Sequence, residues 1–117
     1  MIGSTRALRV WVCPTPTDMR RSFDSLRAWS QVALGRDVLA GDLVLFVSRN
    51  RQQAKVLLWD GTGLCIYAKR LERGLFNAPW LAPSRQPWQL TMTELALFLE
   101  GSKVVGFVPM GPPAYAC

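Results

Sequence analysis

"LLWDGTGLCIYAKRLERG", residues 57–74, is the stretch whose reading decides the fold. Two apolar runs flank "DGTG", and Asp and Gly are the residues that close a tight hairpin, because they tolerate positive φ and bond their own backbone locally. The runs are long enough for strands and carry Lys or Tyr at intervals, the pattern of a ribbon with one wet face. The ribbon ends in "KRLER". Folding does not need that charge, so it asks for a partner.

Upstream of the hairpin, "LVLFV" at 43–47 is continuously apolar and "AKVLLW" at 54–59 follows the polar connector "SRNRQQ". Three strands joined by short turns predict an antiparallel meander over about residues 43–70, with only "LVLFV" buried on both faces. "ALRVWVC", residues 7–13, is a further strand stopped by Pro14, free to pair with either edge. Thr17 offers a cap and Asp18 a favourable first-turn charge. Met19, Phe23, Leu26, Ser30 and Ala33 then recur at helical spacing, predicting one long helix over about 18–34 that Gly35 ends.

"GLFNAPWLAPSRQPWQ", residues 74–89, with three Pro and no period, reads as a surface linker pinned by Trp80 and Trp88. Thr91 and Glu94 form a capping box, so Met92, Leu95, Phe98 and Leu99 predict a short C-terminal helix over about 92–100, ended by Gly101. The expected class is α+β: a mainly antiparallel sheet with the long helix packed on it. Residues 1–101 are expected to form one domain, and 102–117 a weakly ordered tail with at most one strand at 104–108.

The 117 residues carry fourteen Lys and Arg against eight Asp and Glu, a formal +6, and eleven of the fourteen cations are Arg. Arg forks two donors onto a phosphate or carboxylate, so the bias points to polyanions or acidic protein surfaces. Three Cys without CxxC spacing, and no His, argue against a zinc site or a disulfide framework. Cys13 and Cys65 read as small buried hydrophobes, and no cofactor is expected. No secretory h-region and no membrane-length apolar run is present, so the chain reads as cytoplasmic.

Catalysis without His would need gathered carboxylates, a Lys or a Cys. Asp18, Asp24, Asp42 and Asp60 each have a cheaper role at a helix start, a polar helix face or a turn, and no phosphate-loop motif occurs. The cations are better organised. Arg20 and Arg21 fall in the expected first turn of the long helix. Arg49, Arg51 and Lys55 bracket the first hairpin loop, and Lys69, Arg70 and Arg73 close the third strand. In a meander the last two groups meet at one sheet end, with Trp59 or Tyr67 on the wet face between them. Phosphate contact, which carries no sequence information, suits such a cluster.

"PTDMRRSFDSL" at 16–26, "LVLFVSRNRQQAKVLLWDGTGLCIYAKRLERG" at 43–74 and "TELALFLEG" at 93–101 together resemble the small accessory protein, often called TnpB, of IS66-type bacterial insertion sequences. That protein is distinct from the RNA-guided nuclease of the same name. The resemblance spans about residues 8–101 and implies a non-catalytic role in DNA transposition beside a separate transposase. The matching positions include Thr17 to Arg20, Phe23, Asp24, Arg49, Arg51, Lys55, Trp59 to Gly61, Tyr67, Lys69 to Glu72 and Gly74. The expected partners are DNA and the transposase. An alternative is a protein adaptor anchored by Trp59, Tyr67 and Trp80.

Overall fold

The computed structural model describes residues 8–81 and 88–101, and in it the N-terminal strand β1 (Val10–Val12) lies inside the sheet. It runs parallel to β2 (Leu43–Val47), with Val10 opposite Leu43, and antiparallel to β5 (Trp88–Leu90) on its other side. Strands β3 (Gln53–Trp59) and β4 (Leu64–Arg70) continue outward from β2 as the antiparallel meander, giving the order β4-β3-β2-β1-β5. The class is α+β with a five-stranded mixed sheet.

The mixed character has a plain cause. A chain that leaves β1 and returns parallel to it needs a crossover, and helix α1 (Phe23–Leu34) with the single turn at Val38–Ala40 supplies one. The segment expected to be a surface linker contributes a turn at Pro79–Leu81 and the start of β5. Its prolines hid a three-residue strand that, among the described residues, pairs on one side only, as edge strands with nearby Pro do. The strand expected at 104–108 lies outside the described residues.

Helix α1 starts five residues later than its periodicity suggested. Ser22 is its N-cap, without a side-chain bond to the helix, and Gly35 at φ 66° closes it. Thr17 is not the cap: its N–H donates to the Val47 carbonyl at 2.9 Å, extending the ladder beside β2, and its hydroxyl accepts from Trp29 Nε1 at 3.0 Å. Met19 nonetheless packs beside the α1-side core, so apolar spacing persisted across a segment that is not helical. Val32, on the helix face turned from the core, is 78% exposed. Helix α2 (Met92–Glu100) carries both bonds of the Thr91–Glu94 capping box.

Alternation along the strands splits the core into two layers. Trp11, Cys13, Val44, Phe46 and Leu57 face α1 and bury Leu26 and Val38. Val10, Val12, Leu45, Val47, Ala54 and Val56 face the other way, against Phe76 and the α2 residues Leu95 and Phe98. All five β2 residues are buried, as its unbroken apolar run requires. Phe76 stacks on Phe98 with centroids 5.9 Å apart, joining the segment after β4 to α2. No helix among the described residues is long and apolar enough to cross a membrane.

Phe76 is fully buried, so Phe76→Ala is expected to lower stability in urea unfolding by about 3–5 kcal/mol. Val32→Ala should change it by less than about 0.5 kcal/mol.

Candidate functional site

Three loops share one end of the sheet. Because β1 and β2 are parallel, residues after both exit at that end, and β4 returns to it with Arg70 opposite Gln53. Backbone bonds seal the arrangement: Leu71 N–H donates to Gln52 O at 2.8 Å, Phe76 N–H to Arg51 O at 2.8 Å, and Thr17 N–H to Val47 O at 2.9 Å. Segments 14–21, 48–52 and 70–76 therefore form a rim. It carries Arg20, Arg21, Arg49, Arg51, Arg70 and Arg73 against Asp18 and Glu72.

These cations differ in what they already do. Arg49 and Arg73 are exposed, and among the described residues neither has a hydrogen bond or an ion pair. Arg20 pairs with Asp18 at 2.7 Å and Arg70 with Glu72 at 3.3 Å, all four side chains largely in water. Exposed pairs of this kind contribute about 0–1 kcal/mol, so either Arg can exchange its carboxylate for another anion. Arg21 stacks its guanidinium 4.9 Å from the Trp29 ring centre and donates to Ser25 Oγ.

Arg51 is committed to the fold. Its Nε donates to Phe76 O at 2.8 Å, and it holds φ 64°, a left-handed conformation that a tight loop imposes on it. The two lysines of the expected patch are committed as well. Lys55 Nζ donates to the carbonyls of Met19 and Arg21, both at 2.8 Å, and so clamps the 18–21 turn onto β3. Lys69 Nζ donates to Leu99 O at 2.7 Å, at the end of α2 where carbonyls lack helical partners.

Arg20 and Arg21 stand in the turn before α1, not in its first turn, since Arg21 N–H bonds to Asp18 O at 3.1 Å. Trp59 and Tyr67 do not lie between the basic groups. Trp59 sits beside the far hairpin, opposite Leu64 on the α1 side, while Tyr67 pairs with Val56 on the other face. Trp80, the third proposed anchor, is partly buried against the α2-side core.

Two adjoining clefts of about 380 and 390 Å³ open on the rim. Thr17, Asp18 and Arg49 line both; one continues to Ser48, Asn50 and Gln53, the other to Arg20, Arg21 and Trp29. Trp29 is a cleft residue absent from the expected site, because its place beside the apolar stripe of the helix already accounted for it. The available signal was its pairing with the preceding Arg-Arg step.

Three of the acidic side chains outside the rim are taken up in pairs and turns. Asp37 accepts two bonds from the Arg27 guanidinium, Asp42 accepts from Trp11 Nε1 at 3.1 Å, and Asp60 accepts the Thr62 and Gly63 N–H groups that close the hairpin. Among the described residues no three of His, Cys, Asp and Glu gather as a metal site. Cys65 is half-buried rather than buried, and burial and the nearby Asp60 carboxylate push its thiol pKa up.

A small basic α+β protein with a cationic rim is the class these features define. The chain belongs to the family described as IS66 Orf2 like protein, which it matches over residues 8–107. The match runs six residues beyond the point where the motif resemblance stopped. Two similar proteins come from Sinorhizobium fredii (strain NBRC 101917 / NGR234), both described as uncharacterized. One, y4hO, is 40% identical over 79 residues, covering 68% of this chain and 69% of its own length. The other, y4jC, is 37% identical over 79 residues, covering 68% of each. No solved structure gives a significant match. The family places the chain in an accessory role associated with an insertion sequence.

Arg20 beside Asp18, the Arg27 guanidinium beside Asp37, and backbone N–H groups around Asp60 hold all three carboxyls at about 2. Lowered native pKa values stabilise the fold above the unfolded carboxyl value of about 4, and that contribution is lost as pH falls toward 2. Thermal melts should therefore be flat above about pH 4 and drop below it, with a shallower drop in Asp37→Asn. Separately, Lys55→Met should cost about 1–3 kcal/mol and raise amide exchange selectively at residues 18–21.

Proposed function

We propose that the chain is a non-catalytic accessory protein of DNA transposition that works beside a separate transposase and contacts the DNA backbone through its cationic rim. The convergence of Arg20, Arg21, Arg49, Arg70 and Arg73 at one sheet end is the observation that carries this reading. Arg49 and Arg73 are ready to take phosphate oxygens, and Arg20 and Arg70 can exchange weak surface pairs for them. Trp29 under Arg21 adds a flat surface beside the cleft. Lys55 and Arg51 support the rim by holding its loops, Lys69 ties β4 to the end of α2, and Trp59 and Tyr67 lie outside the rim.

Contacts of this kind position a protein on a duplex without reading bases. Affinity for a duplex bearing the element's terminal repeat should fall with salt at a log-log slope of about 0.9 per phosphate neutralised. The combined Arg20→Gln, Arg49→Gln and Arg73→Gln changes should weaken binding and flatten that slope. Binding that ignores both salt and these changes would contradict the reading. Retention of the transposase without any DNA binding would favour the adaptor alternative, in which the same guanidiniums meet an acidic protein surface.

A further inference from the structure

Among the described residues, strand β4 is a seven-residue sheet edge with no Pro, and its first five residues, Leu64 to Ala68, carry no charge. Natural edges of this length are normally blunted, because their unpaired N–H and C=O groups are a template for another strand. Which groups point outward follows from two bonds. Leu71 N–H to Gln52 O and Asp60 N–H to Gly63 O mark the bonded pairs at either end of the β3–β4 ladder. Bonded and non-bonded pairs alternate in an antiparallel ladder, so Cys65, Tyr67 and Lys69 direct their backbone groups toward β3. Leu64, Ile66, Ala68 and Arg70 direct theirs outward.

That set is symmetric about Tyr67. In an antiparallel pairing of β4 with a second copy centred there, Leu64 meets the copy's Arg70 and Ile66 meets its Ala68, which employs every outward group of the strand. Shifting the centre to either neighbour leaves some of them unpaired. The residue on the axis, Tyr67, is 51% exposed, and two such rings would become directly opposed neighbours of a non-hydrogen-bonded pair, about 4.5 Å apart at Cα. The twofold also separates like charges: Lys69 and Arg70 of each strand fall beside the uncharged Leu64 and Cys65 of the other.

We propose that the partner of this edge is a second copy of the same chain, and that the chain is a twofold dimer with a continuous ten-stranded sheet joined at β4. The dimer places the two cationic rims at opposite ends of the joined sheet. It does not depend on what the rims bind.

Sedimentation equilibrium of the full chain tests it. The expected mass is twice the 13.1 kDa of one chain. Tyr67→Lys opposes two ammonium groups across the axis, and Ala68→Pro removes an outward donor without touching the β3 ladder; each should return the mass to a single chain. With Cys117→Ser as background, Tyr67→Cys should form an interchain disulfide on mild oxidation, because its Cα spacing across the axis suits the bond, and Ala68→Cys should not. A single-chain mass at every concentration would overturn the dimer. So would a dimer indifferent to Tyr67→Lys and Ala68→Pro, since its contact would then lie elsewhere.

Discussion

The parallel pairing of β1 with β2 is the constraint on which the rest depends. It brings the chain out of both strands at the same end of the sheet, and the 3.0 Å bond from Leu43 N–H to Arg9 O begins a ladder that Cys13 and Thr17 extend past the end of β1. Everything on the rim follows from that placement. The 14–21 segment is held beside the 48–52 loop, where Lys55 can reach two of its carbonyls, and α1 is left to cross back over the face that Trp11, Val44 and Phe46 present. Had β1 paired antiparallel at an edge, the Arg-Arg step and Arg49 would sit at opposite ends.

The rim divides its cations by chemistry. Lys55 beneath it and Lys69 on β4 are tied to backbone carbonyls, a task for a compact ammonium with three donors, whereas the outward positions are held by guanidiniums. Arg51 is the exception, because its fork closes a two-way contact with Phe76 and fixes the segment that follows β4. Removing a clamp should therefore damage the surface through loop order, and removing an outward Arg should damage it through charge. The family membership, with relatives at 40% and 37% identity, supplies the transpositional context in which such a surface is read.

The meander was legible because "DGTG" and the apolar runs around it act locally: Asp60 bonds the turn's own N–H groups, and Gly61 takes φ 104°. Gly35 and the Thr91–Glu94 box were legible for the same reason. The parallel β1 and the short β5 were not, since their pairing is set by partners far along the chain. The start of α1 was misplaced because Thr17 and Asp18 resemble a cap, yet Thr17 serves the β2 ladder and Trp29, and Asp18 serves Arg20. Meeting of the hairpin loop and the end of β4 followed from strand direction alone. The roles of Lys55 and Lys69 could not, because charge in a sequence does not reveal which carbonyls lie within reach.

The most direct measurement is a set of amide nitrogen–proton spectra of the labelled chain, titrated with a short DNA duplex at low salt. Shifts should concentrate at residues 17–21, 48–52 and 70–74, with the far hairpin at Asp60–Gly63 unmoved. Shifts confined to that hairpin, or none at all, would contradict the assignment of the cationic rim as the DNA-facing surface.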